Sequence, residues 1–154
     1  MADHPITLLP AGAGRTLHAF GEAVTILVDG ATSGGAFTQW IEDTPPGGGP
    51  PPHRHQHEDE SFFILSGRVA FFEGRTGAWT ELGPGGSAFL PRGSVHTFKN
   101  VGPEPARMLI TTLPSGFETF FARCAEVFRH PGGPDMGRIM AIAAEHGIEF
   151  LPPS

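Results

Sequence analysis

Residues 47–67 read GGGPPPHRHQHEDESFFILSG, with three histidines inside five positions and three acids directly behind them. In extended backbone, side chains two residues apart point to the same face. His53 and His55 therefore present two imidazoles toward one point. Glu60 opens the next apolar run, and Phe62 and Ile64, at the following even positions, share its face. Residues 85–100, GGSAFLPRGSVHTFKN, add His96 just after the turn Pro91-Arg92-Gly93. Imidazole and carboxylate together suit Fe, Mn, Ni, Co, Cu or Zn. Read alone, the histidine tract also fits a solvated polar loop. Spacing is what favours a metal.

Working outward, residues 16–20, 23–29, 37–42, 62–65, 69–73, 78–82, 87–90, 95–101 and 107–113 are short runs rich in β-branched and aromatic residues. Gly, Pro, Asn or Asp separates most of them, and a spacing near ten residues favours an antiparallel sandwich or barrel. Residues 44–52, TPPGGGPPP, are too rich in Pro and Gly for a strand and read as a loop. The pattern changes after Pro114. Ser115 and Glu118 fit a capping box, and Phe117, Phe120, Phe121, Cys124, Val127 and Phe128 recur at helical spacing. A second helix is expected from near Pro134 to Gly147, with Met136, Ile139, Met140 and Ala143 on its apolar face. Cys124 lies on the first apolar stripe and reads as a buried structural thiol, not a nucleophile.

The chain has 154 residues and a net charge of −6, and its ten basic residues form no stripe, which argues against a nucleic-acid partner. No apolar run approaches the 18 or so residues of a membrane span, so no membrane partner is expected. Met1-Ala-Asp-His-Pro lacks a charged-then-apolar leader pattern. The single cysteine cannot form an internal disulfide, which is compatible with a reducing compartment, and a cytoplasmic location is the default expectation. Twenty-two glycines and 16 prolines punctuate short apolar runs instead of forming repeats.

Together the two segments read G-x5-H-x-H-x4-E-x6-G and G-x5-P-x-G-x2-H-x3-N, and here the sequence resembles the cupin superfamily at all ten anchor positions. The resemblance covers residues 40–113. It implies an all-β jelly-roll barrel, the double-stranded β-helix, made of two packed antiparallel sheets. On that reading, residues 1–113 form the barrel domain and residues 114–154 a C-terminal helical extension packed on it. The implied metal ligands are His53, His55, Glu60 and His96, binding one divalent transition metal. Gly67 and Gly93 are implied turn glycines and Asn100 a structural residue at a strand end. His57 could also pair with His55, but it stands too near Glu60 for the motif and is expected beside the site or at its rim. Glu58 and Asp59 read as solvated turn carboxylates. Trp40 suits the pocket wall and the core equally well.

The segment HRHQHEDESFFILSGRVAFF and the tail AAEHGIEFLPP are similar to small single-domain cupins of the quercetin dioxygenase-like group. That resemblance implies a dioxygenase-like oxidoreductase that takes O2 and a small molecule with an aromatic or enolic hydroxyl, with Glu60 as the base. Among Phe62, Ile64, Phe71, Phe72, Phe89 and Phe98, strand alternation must turn some inward to an apolar pocket. A sole lysine, Lys99, argues against a phosphosugar substrate. The competing class is a metal-containing small-molecule binding or sensing module without catalysis, since a fold does not fix a function. A homodimer is also expected: residues 6–9 are apolar and isolated by Pro5 and Pro10, and the Phe-rich helix offers surplus apolar surface.

Overall fold

The computed structural model describes residues 4–152. The first three residues of the N-terminal segment read for a leader lie outside that range. Eleven strands and three helices follow in order among the described residues. They are β1 (Arg15–Ala19), β2 (Glu22–Val28), α1 (Gly30–Ser33), β3 (Thr38–Thr44), β4 (His53–His55), β5 (Asp59–Ser66) and β6 (Val69–Glu73). After these come β7 (Ala78–Leu82), β8 (Ser87–Leu90), β9 (His96–Asn100), β10 (Ala106–Leu113), α2 (Phe117–Phe128), α3 (Met136–Glu145) and β11 (Ile148–Phe150).

The strands form two antiparallel sheets, β1-β2-β3-β10-β5-β8 and β11-β4-β9-β6-β7, facing one another as a jelly roll. Alternation decides which side chains meet between them. Trp40, Phe62, Ile64, Val69, Phe98, Met108 and Ile110 point inward and are almost wholly buried. The expected apolar strand residues divide as pleating requires: Phe71 packs partly against the core, whereas Phe89 is 67% exposed on the outer face.

Two glycines close turns that position the site. Gly67, between β5 and β6, has φ of 87°, and a Cβ there would lie 2.8 Å from Ala106 Cα, so both conformation and space require glycine. Gly93 has φ of 81° and donates its N–H to His55 O at 2.7 Å, tying the turn before β9 to strand β4. Asn100 is the structural residue the motif implies. Its amide donates to Thr44 O at 3.0 Å and Glu104 O at 2.8 Å, and its Oδ1 accepts from Gly102 N–H at 2.9 Å.

Helix α2 packs on β1 of the six-stranded sheet, and α3 on α2 and on β11 of the other sheet, with two corrections to the sequence reading. Ser115 does not cap α2; Gly116 occupies that position and no side chain caps it. Glu118 instead accepts from Gly30 N–H at 2.7 Å, Gly116 N–H at 3.0 Å and the Thr38 hydroxyl, pinning the helix start to α1 and β3. Burial opposes ionisation of this carboxyl, but the Thr38 and backbone donors outweigh it and hold its pKa below the ordinary range. In α3, Met136 and Met140 are exposed, and Ile139, Ile142 and Ala143 face the core. The buried face is therefore rotated from the expected one, because the neighbouring α2 and β11 decide which stripe is covered.

Phe120, Phe121, Cys124, Ala125 and Val127 of α2 are buried in the chain's own core, and Phe117 and Phe128 pack against it. The surplus apolar surface expected of this helix is thus covered from within. Burial raises the Cys124 thiol to about 11, in keeping with a structural role.

Candidate metal centre

The four implied ligands converge. His53 and His55 lie on β4, His96 starts β9 directly opposite His53, and Glu60 reaches across from β5 in the other sheet. One ligand atom from each of these four falls within 4.8 Å of the others, and all four residues are buried. His96 Nε2 lies 2.9 Å and His55 Nε2 3.5 Å from Glu60 Oε2.

Each imidazole is oriented by its other nitrogen. His53 Nδ1 donates to Pro51 O at 2.9 Å, and His96 Nδ1 donates to Ser94 O at 3.0 Å. His55 Nδ1 donates to the Glu58 carboxylate at 3.1 Å. With the proton committed to Nδ1, each Nε2 presents a lone pair to the shared point. Glu60 Oε2 and His96 Nε2 are fully buried and have no hydrogen-bond donor to satisfy them. Three nitrogen lone pairs and a carboxylate facing one point repel unless a cation stands between them, so this donor set fits a metal ion.

The electrostatics differ from one group to the next. Burial opposes the charge on Glu60, but His55, His96 and His53 outweigh it and bring its carboxyl down to about 2. Burial, reinforced by His96, lowers His53 to about 3 and keeps it neutral. Burial also opposes protonation of His55, yet Glu60 and Glu58 overcome this and raise it.

Glu58 corrects the sequence reading. It is 6% exposed and holds His55, whereas only Asp59 behaves as a turn carboxylate. Asp59 accepts from Arg92 Nε at 3.2 Å, Arg92 Nη2 at 3.0 Å and Arg92 N–H at 2.9 Å, joining the start of β5 to the turn before β9. His57 is exposed and stands outside the cluster, covering Gly147 so closely that no Cβ would fit there. Strand β11, which the sequence reading leaves as tail, pairs Ile148 with His55 and Phe150 with His53. Arg54 and Glu149 clamp that pairing at 2.6 Å.

The cluster borders a narrow slot with a cavity volume of about 60 Å3, walled by Trp40, Phe62, Phe98, Phe117, Phe121 and Phe150 among others. Trp40 stacks on Phe117 with ring centroids 4.2 Å apart and planes 7° from parallel. Trp40 thus serves both wall and core.

Two antiparallel sheets with a His3Glu cluster between them define a metal-site jelly roll. Residues 40–112 match the cupin domain family, and the chain belongs to the cupin superfamily. No curated protein matches the sequence significantly. Among solved structures, the polyketide cyclase RemF from Streptomyces resistomycificus is similar at 22% identity and TM-score 0.62, over 71% of this chain and 80% of that one. KdgF from Halomonas sp. is similar at 14% identity and TM-score 0.63, over 75% of this chain and 99% of that one. A predicted oxalate decarboxylase from Thermotoga maritima shares 23% identity at TM-score 0.55, over 60% of this chain and 80% of that one. At these identities the likeness is one of fold. Among the described residues no helix is long and apolar enough to cross a membrane.

Proposed function

We propose that this cupin is a metal-dependent oxidoreductase of the dioxygenase type, using O2 on a small molecule with an aromatic or enolic hydroxyl. The observation that carries the reading is the convergence of three imidazole lone pairs and one carboxylate on an aromatic-walled slot. His53, His55, Glu60 and His96 would hold one divalent transition metal, whose Lewis acidity lowers the pKa of a bound enol or phenol hydroxyl by several units.

The chain's own residues do the rest. Glu60, the carboxylate among the four donors, receives the proton of the incoming hydroxyl. Glu58 keeps the His55 proton on Nδ1, so that Nε2 stays turned to the site. The stacked rings of Trp40 and Phe117 wall the slot and exclude water.

Elemental analysis of the purified protein, followed by oxygen-electrode assays of flavonols and other enolic phenols with the native metal, tests the reading. Oxygen uptake that needs both metal and substrate is the expected result. Tight binding of these compounds with no oxygen uptake would instead make the protein a binding or sensing module.

Of the two surfaces the sequence suggested for a homodimer, residues 6–9 stay exposed while the Phe-rich helix is covered, and a further patch takes its place. Ile6 and Leu8 are more than 80% exposed, and Phe63, Leu65 and Phe89 leave an apolar patch on the outer face of β5 and β8, the latter an edge strand. Light scattering at micromolar concentration reads twice the 16.3 kDa chain mass if the copies pair.

A further inference from the structure

The cavity has a second polar region. Glu22 opens β2 and Glu42 lies on the adjacent β3, both at inward positions, 6% and 4% exposed. Both line the same slot as His53, His55 and Glu60. Glu42 is level with Met108 on β10, and Met108 with Ile64 on β5, so Glu42 stands two strands over and four positions along from Glu60. Trp40 Nε1–H donates to Glu42 Oε2 at 3.0 Å, the donor the structure gives this carboxyl from its surroundings. Glu22 Oε1 and Glu42 Oε1 are buried and find no donor.

Nothing in the fold explains this arrangement. Two carboxyls at inward sheet positions cost stability, which an apolar pair of similar size would avoid. Among the described residues, no cationic side chain adds to the causes that set the charge of either carboxyl. Burial, followed by the repulsion of Glu42, holds Glu22 protonated. What remains is a carboxyl pair with a proton to donate and two unsatisfied acceptor oxygens, set in an aromatic wall. A hydroxyl both donates and accepts, so it satisfies such a pair in any arrangement of the proton. An ammonium would need the pair ionised, against the direction that burial imposes.

We propose that Glu22 and Glu42 form a second ligand-binding pole, which takes a hydroxyl at the far end of an aromatic ligand whose first oxygen lies against the His53, His55, Glu60 and His96 cluster. This rests on the aromatic-hydroxyl reading of the site and narrows it to substrates with hydroxyls at two ends.

The test is calorimetric titration of the protein carrying its native metal, without oxygen, so that binding is read apart from turnover. Para-ethylphenol, tyrosol and tyramine end one skeleton in methyl, hydroxyl and ammonium; phenol and hydroquinone supply a shorter pair. The expected result is binding roughly tenfold tighter for the hydroxyl-ended member of at least one pair. E22L should erase that advantage, and E22Q, which keeps a neutral donor and acceptor, should retain most of it. If E22L fails to fold, the wild-type ratios and E22Q decide.

Equal binding of methyl- and hydroxyl-ended probes overturns the second pole while leaving the aromatic-hydroxyl reading in place. Preference for tyramine, lost in E22Q, overturns it in favour of a cation site. Failure of every phenol to bind overturns both readings.

Discussion

Glu60 and the Glu22–Glu42 pair are buried carboxyls lining one cavity, yet they are held in opposite states. Around Glu60 stand three imidazoles, and their combined field overcomes desolvation and keeps the carboxylate charged. Around Glu22 and Glu42 stand the Trp40 ring and each other, so desolvation wins and both carboxyls are raised above the ordinary range. Burial is nearly the same at both places. Neighbouring charge decides the outcome, and it gives one slot a charged pole and another suited to hydrogen-bonding a neutral group.

The largest effect that would break this contrast comes from removing the charge at Glu60. Glu60→Gln keeps an oxygen toward the cluster but loses the basicity. If Glu60 is the base, turnover falls by about 10²–10⁴, the range typical of general-base loss, while metal content by elemental analysis falls much less. Unchanged turnover at full metal occupancy would remove the base role and leave Glu60 as a ligand alone.

A smaller effect is expected one step back from the ligands, at Glu58. Glu58→Gln can still accept from His55 Nδ1 but withdraws the negative charge that strengthens that imidazole. Metal affinity, read by competition with a chelator, should fall by roughly 10- to 100-fold, as for other partners of ligating histidines. No change would mean that backbone geometry alone orients His55.

Glu58 also marks where the sequence stopped being legible. The ligands were readable because motif spacing and strand alternation both act locally: two imidazoles two apart share a face whatever the rest of the chain does. Glu58 sits in a run of three acids that looks solvated, and only the return of the chain at Gly147 and the short strand β11 encloses the turn beside it. A three-residue strand such as Ile148–Phe150 has no period of its own, and its pairing with β4 comes from tertiary contact. Glu22 was missed for a related reason. It precedes the apolar run 23–29, and nothing local says that a glutamate there turns inward to meet Glu42. The exposed Met136 and Met140 teach the same point for helices: period 3.6 fixes which residues align, while the packing partner fixes which stripe is buried.

The protonated pair gives a pH effect of moderate size. A carboxyl whose folded pKa lies above its unfolded value makes the folded state bind more protons, so stability is full below the ordinary glutamate range and is lost as pH rises toward the folded pKa. The slope is at most about 1.4 kcal/mol per pH unit for each such proton. Glu22→Gln removes one of them. Denaturant melts from about pH 6 to 8 should therefore show the variant gaining on the wild type as pH rises. Glu60 on the cavity side, and His18, Asp43 and Arg129 on the outer side, are common to both proteins and largely cancel, while the repulsion between Glu22 and Glu42 is removed by the substitution and is part of the difference. A difference that does not vary with pH would mean that Glu22 is already ionised, and the contrast with Glu60 would fall.

The smallest effect is expected at His57, and its smallness is what sharpens the boundary of the metal pole. By residue type and spacing His57 could replace His53 as the partner of His55, and it lies three residues from Glu60. Strand β4 ends at His55, however, and the chain turns before β5 begins at Asp59, so the alternation that would aim His57 inward is interrupted. Its ring lies over Gly147, exposed and apart from the four converging side chains. His57→Ala should then leave metal content at the wild-type level and change turnover by no more than about twofold, as for a surface substitution. A stoichiometric loss of metal in this variant would show that the pole includes a fifth donor and that the turn after β4 rearranges when metal binds.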